Sequence, residues 1–236
     1  WQLLLQTSDH EEWAKAEAHY DRFQENHSDS EYRYDFLTAS LPMLVEQGRG
    51  DEGVKLLREV IWSERSSPES TILSEMFGTW IDFLETNFEP VRLTQELEDL
   101  TLQRGGTPCL QGWTTIALVD ALEKEEAPVD TINQHFYRLE AGYDPSLQSN
   151  YPTVRLARWI SDVRKKPAEA QALYEYILEN RPGTANYDYC LVDVAQIQAR
   201  STDTAEREQA MKKFEQVVVG FPNEELQEKA VLGMAR

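Results

Sequence analysis

Apolar residues recur along this chain at helical spacing. Ala170, Tyr174 and Ile177 fall on one face of an α-helix, because steps of four and three bracket its ~3.6-residue turn. Pro182, five residues on, ends that helix, since proline has no N–H to donate and restricts the residue before it. The same pattern returns at Ala210, Phe214, Val217 and Pro222. Weaker copies stand at Ile132/Phe136/Leu139, Leu93/Leu97/Leu100, Gly53/Leu57/Val60 and Ala16/Tyr20/Phe23. Successive first members lie 37, 40, 39, 38 and 40 residues apart. So regular a period marks a repeat architecture.

A second helix fits between successive triplets, and the pattern supplies one each time. Tyr34 to Val45 is the first, with Pro42 expected to bend it or delay its start. Thr71 to Thr86 and Cys109 to Glu123 follow, then helices through Val154/Ala157/Ile160 and Leu191/Val194/Ala195. Leu226, Ala230 and Met234 begin one more, which the chain leaves without a pair. Turn residues agree: Gly48 to Asp51 and Asn87 to Pro90 separate helices within pairs. Gly105-Gly106, Asp144-Pro145 and Pro182-Gly183 separate pairs from one another. No alternating strand pattern occurs. The expected fold is all-α, an α-solenoid of about six antiparallel helix pairs in one domain over 1–236. The repeats run roughly 1–28, 29–66, 67–106, 107–145, 146–183 and 184–222, with 223–236 a partial one. Helical pattern reaches both ends, so the chain reads as a piece of a longer polypeptide. Triplet helices should pack between neighbouring pairs, with Ala16, Gly53, Ala170 and Ala210 permitting close approach. Ile132 and Leu93 imply wider spacing in the middle.

The pattern Ala170-x3-Tyr174-x2-Ile177-x4-Pro182, with its copy at Ala210 to Pro222, resembles the tetratricopeptide repeat. That resemblance implies a right-handed superhelix whose concave surface holds a peptide. Two copies match well and four match by position. The period is longer than the family's ~34 residues, with Ser201 to Glu206 as one extended turn, and the family's Trp-x2-Leu-Gly signature is absent. The Phe221-Pro222 copy is also similar to repeats of bacterial envelope-assembly lipoproteins and cell-division coordinators, which tilts the expected location toward a bacterial envelope.

Charge narrows the class of partner. The 236 residues carry 42 acidic against 23 basic side chains, a net charge of -19. Such a surface disfavours nucleic acid, whose phosphates require clustered Lys and Arg, and favours a protein or peptide with basic segments. No stretch approaches the ~18 apolar residues of a membrane helix, and no basic region precedes Leu3-Leu4-Leu5 as a signal peptide would require. Cys109 and Cys190 fall on corresponding helices a whole repeat apart, too far to bridge, so both are expected as buried free thiols.

Candidate chemistry is sparse. His10, His19, His27 and His135 form no metal-ligand spacing, and Ala14 stands where a zinc-protease motif needs a second histidine. Gly48-Arg-Gly-Asp-Glu-Gly53 has the letters of a dinucleotide fingerprint but no strand before it; Asp51 reads as an N-cap and Gly48 as a C-terminal glycine. Its Arg-Gly-Asp and the sequon at Asn26 are discounted. No nucleophile elbow or phosphate loop is present, and no catalytic, cofactor or metal residue is assigned.

One anomaly is basic. Residues 151–166 hold Arg155, Arg158, Arg164, Lys165 and Lys166 against Asp162 alone. The last three suit a helix C-terminus. Arg155 and Arg158 lie on one face beside Trp159, an arrangement suited to a carboxylate-bearing peptide, unless Arg158 pairs with Asp162 four residues on. Trp80 and Trp113 sit on the first helices of their pairs, where core packing and partner anchoring compete. The sequence thus points to a non-catalytic interaction scaffold, with Trp80, Trp113, Arg155, Arg158 and Trp159 as candidate contacts. Its rivals are an α/α-toroid enzyme acting on carbohydrate and a structural spacer touching only its parent chain.

Overall fold

A computed structural model describes residues 18, 22, 32–66, 71–103 and 105–235. The first triplet, His10, His19, His27 and the Asn26 sequon lie outside this set. Among the described residues every regular element is helical. They form two compact units dividing between Gly106 and Thr107.

The first unit contains α1 (Arg33–Glu46), α2 (Gly50–Glu64), α3 (Thr71–Asn87) and α4 (Pro90–Leu102). Gly48 closes α1 in left-handed backbone, φ +70°, with Arg49 N–H donating to the Leu44 carbonyl at 2.7 Å. Asp51 is not the N-cap of α2: Arg49 holds that position, and Asp51 lies in the first turn, where its charge meets the helix dipole. Pro42 does not delay α1, which starts nine residues earlier and runs through it. Each helix packs on the next, and α1 also touches α3. Gly53 of α2 shows why a small residue is needed there. A Cβ would come within 2.9 Å of the Phe83 ring on α3 and 3.2 Å of Leu41 on α1.

A polar seam joins α2 to α4. Glu96, nearly buried, accepts from Arg58 Nη1 at 2.9 Å and pairs with Arg92 Nη2 at 2.8 Å. Gln103 accepts from Arg58 and Asp51 from Arg92, both at 3.1 Å. Two guanidiniums around one carboxylate allow it to leave water without staying an unpaired charge.

The second unit contains α5 (Pro108–Lys124), α6 (Val129–Glu140), a 3₁₀ turn (Pro145–Leu147), α7 (Asn150–Asp162), α8 (Pro167–Asn180), α9 (Tyr187–Ala199), α10 (Thr204–Gly220) and α11 (Glu224–Met234). Consecutive helices pack, and contacts also join α5 to α7 and α9 to α11. The two strong triplets are wholly buried, in adjoining clusters to which Leu178 packs. Ile132 and Leu139 are only half-buried, which leaves Phe136 as the one fully buried member of its triplet. Cys109 and Cys190 are buried and are not joined in a disulfide, as their spacing implied. Helix α11 packs on both α10 and α9.

Arg181, just past α8, organises the connection before α7. Its guanidinium donates to the carbonyls of Gln148 (2.6 Å) and Pro145 (3.2 Å) and to Asn150 Oδ1 (3.0 Å). Asn150 in turn donates to Thr184 Oγ1 at 2.6 Å and the Ala185 carbonyl at 2.9 Å.

Candidate functional site

The five singled-out residues do not form one cluster. Trp80 is 0 % exposed, with its ring 5.8 Å from that of Phe77; it is core, with no surface to offer a partner. Trp159 is buried as well. It stacks on Phe136 at 5.1 Å, meets Tyr137 edge-on at 4.9 Å and donates through Nε1 to Asn133 Oδ1 at 2.9 Å. Its aromatic surface is therefore spent on α6 and on Arg164, whose guanidinium lies 5.8 Å from its ring centroid. The remaining three, Trp113 on α5 and Arg155 and Arg158 on α7, belong to a surface row that reaches α9.

That row is continuous. Trp113 of α5, half-buried, stacks with Tyr151 of α7 at 5.8 Å between ring centroids. Tyr151 donates its hydroxyl proton to Asp120 at 2.7 Å, and Arg155 donates to Asp120 at 2.6 Å and Glu123 at 2.9 Å. Arg158 turns the other way, to α9: its Nε donates to Asp193 at 2.9 Å and its guanidinium lies 5.5 Å from the Tyr189 ring centroid. Arg158 thus pairs across helices and not with Asp162. The stem of an arginine is long enough to lie over a neighbouring helix while its head stays partly in water.

Electrostatics hold the row in its charged state. Burial works against the Arg155 charge, but Asp120 and Glu123 outweigh it and the pKa is raised. Arg158 behaves likewise, with Asp193 outweighing burial. Burial, then the hydrogen bond to Asp120, pushes the Tyr151 phenol up to about 12. Both guanidiniums are matched by the protein's own carboxylates, so the face is a mosaic of rings and internal ion pairs. Two further cations of the basic island are also matched: Arg164 to Glu140, and Lys166 to Glu169 at 2.7 Å.

Asp120, Glu123, Tyr151, Tyr189 and Asp193 escaped the sequence reading. Only Tyr151, one helical turn before Arg155, carried a signal; the others lie more than thirty residues from their partners, as in Tyr151 to Asp120 (31 residues) and Arg155 to Asp120 (35). Among the described residues no group of three or more His, Cys, Asp or Glu is placed to hold a metal ion. None of the helices searched there is long and apolar enough to cross a membrane.

No protein-family model, curated protein or solved structure matches this chain.

Proposed function

We propose that the chain is a non-catalytic interaction scaffold built from tetratricopeptide-like helix pairs, continuing as a right-handed solenoid. The observation that carries this is the alternation of contacts: α1 meets α3, α5 meets α7 and α9 meets α11, beside the contacts between neighbours. Such stacking lines up the first helices of successive pairs. Side chains one repeat apart then form a row, as Trp113, Arg155, Arg158 and Tyr189 do. A partner laid along α5, α7 and α9 meets flat rings and half-exposed ion pairs, which suits a polar peptide. The net charge of -19 favours one with basic segments, drawn in by long-range attraction. The envelope-like repeat at Phe214 to Pro222 supports a bacterial envelope location.

The test is crosslinking in the native cell, followed by recovery of the protein and mass spectrometry of bound chains. A partner should be recovered with crosslinks to α5, α7 or α9, its recovery falling as salt rises and in a Trp113→Ala/Tyr189→Ala double variant. Recovery indifferent to both salt and these substitutions would count against the reading.

A further inference from the structure

In the unit that ends at Gly106, α1 and α3 leave an open groove of about 600 Å³ between them. Its apolar lining is exposed Pro42 and half-buried Val45 from α1, over the edges of the buried Leu41 of α1 and Phe83 of α3. Its charged lining residues are Glu46 and Asp82, both exposed and both acidic. Among the described residues no lysine or arginine lines it. The next cation along the chain, Arg49, is engaged by Glu52 and Gln47.

Hydrogen-bonding capacity has the same bias. The Thr38 hydroxyl donates to the Tyr34 carbonyl at 3.0 Å, Thr79 to Glu75 at 2.9 Å and the Asn87 amide to Phe83 at 2.9 Å. Both threonine hydroxyl protons and one of the two Asn87 amide N–H groups are spent within their own helices. Pro42 has no N–H for the Thr38 carbonyl, and both residues line the groove. What remains is apolar contact flanked by acceptors and negative charge. A second copy of the chain is a poor occupant, because two bodies of net charge -19 repel one another. The matching ligand is apolar on one side and cationic on its flanks, and an amphipathic helix delivers both at three- and four-residue spacing.

We propose that the α1–α3 groove docks a basic amphipathic helix of a partner protein. Its apolar side chains sit against Pro42 and Val45, over the edges of Leu41 and Phe83, and its lysines or arginines meet Glu46 and Asp82. This rests on the scaffold reading but uses none of the residues of the α5–α7–α9 face.

The test uses the full chain and a fluorescein-labelled 18-residue Leu/Lys amphipathic helix, read by fluorescence anisotropy at low and high salt. Controls are a scrambled Leu/Lys peptide of the same composition and a Leu/Glu analogue. The patterned basic peptide should bind, and Glu46→Lys/Asp82→Lys should weaken it at least tenfold. Glu206→Lys/Glu208→Lys, an equal charge change on exposed positions of α10, should shift it less than twofold. No binding, equal binding of the scrambled peptide, or equal loss in both charge variants overturns the proposal. If the groove variant loses helicity by circular dichroism, a photocrosslinker at Thr86 decides. Adducts with the peptide support the groove, whereas adducts to residues 1–31 or to a second copy in the absence of peptide overturn it. Peptide binding here with no crosslinks to the α5–α7–α9 face in cells would separate this inference from the scaffold's own failure.

Discussion

At Gly112 one missing methyl group decides whether two helices can meet. A Cβ there would lie 2.0 Å from Gln148 Oε1 and 3.3 Å from Pro152. Gln148 cannot swing aside freely, because it is buried and its amide donates to the Pro108 carbonyl at 2.7 Å. Gly112→Ala should therefore destabilise the protein by ~1–3 kcal/mol in urea unfolding, through overpacking or loss of that bond. Gly78→Ala, on a helix face with open space around it, should be neutral or stabilising. The thiols give a pH prediction. Burial pushes Cys109 up to about 11 and Cys190 up to about 12, with Arg181 and Asp193 the next influences respectively. Unfolded thiols titrate near ~8.5. Their contribution to stability is thus full below that pH and lost as pH rises toward the folded values. The urea midpoint should fall between pH 7.5 and 10.5, and fall less in a Cys109→Ala/Cys190→Ala variant; an unchanged slope would reject the assignment. Residue roles were the least legible part of the sequence. At Trp80 core packing and partner anchoring competed in the sequence, and Trp159 stood beside two arginines; both rings are buried, because side chains of that size gain more by filling the core. Arg155 and Arg158 look unpaired because Asp120 and Asp193 lie 35 residues away.

Among elements, α11 offers the cleanest test of local chemistry. Its N-cap Asn223 accepts from Leu226 N–H at 3.2 Å, and Gln227 Nε2 ties its first turn to the Phe221 carbonyl at 2.7 Å. Asn223→Ala should cost ~1 kcal/mol and raise amide exchange in α11 before it does so in α8. Uniform exchange across both helices would show instead that they open together. Helix existence was readable throughout the described chain, because each helix carries its own apolar period and its own stop. Pro182 and Pro222 each stand two residues beyond the last helical residue, after Asn180 and Gly220. Cap identity was less readable: Asp51 has an ideal capping side chain, but Arg49 sits where the backbone turns in. A single residue of register separates an N-cap from a first-turn acid, and sequence alone does not fix that register.

For the whole molecule, the solenoid proposed above makes a hydrodynamic prediction. A 236-residue globule has a radius of gyration of ~18 Å by the usual size scaling. Small-angle scattering should exceed that clearly; a value near it would favour a closed or globular arrangement over the solenoid. The net charge of -19 should also make stability rise with moderate salt as self-repulsion is screened, the opposite of the trend expected for partner binding. By itself the sequence determined that the described chain is helical, where the helices before Pro182 and Pro222 stop, and that the two strong triplets turn inward. Those properties are local, set by periodicity, proline and burial of one stripe per helix. Only the tertiary structure decided that Glu96 would leave water between Arg58 and Arg92, that the arginines of α7 would be claimed by α5 and α9, and that α1 and α3 would part around an acidic groove. Each depends on side chains that meet across helices, and a pattern read along one chain carries no record of what faces it.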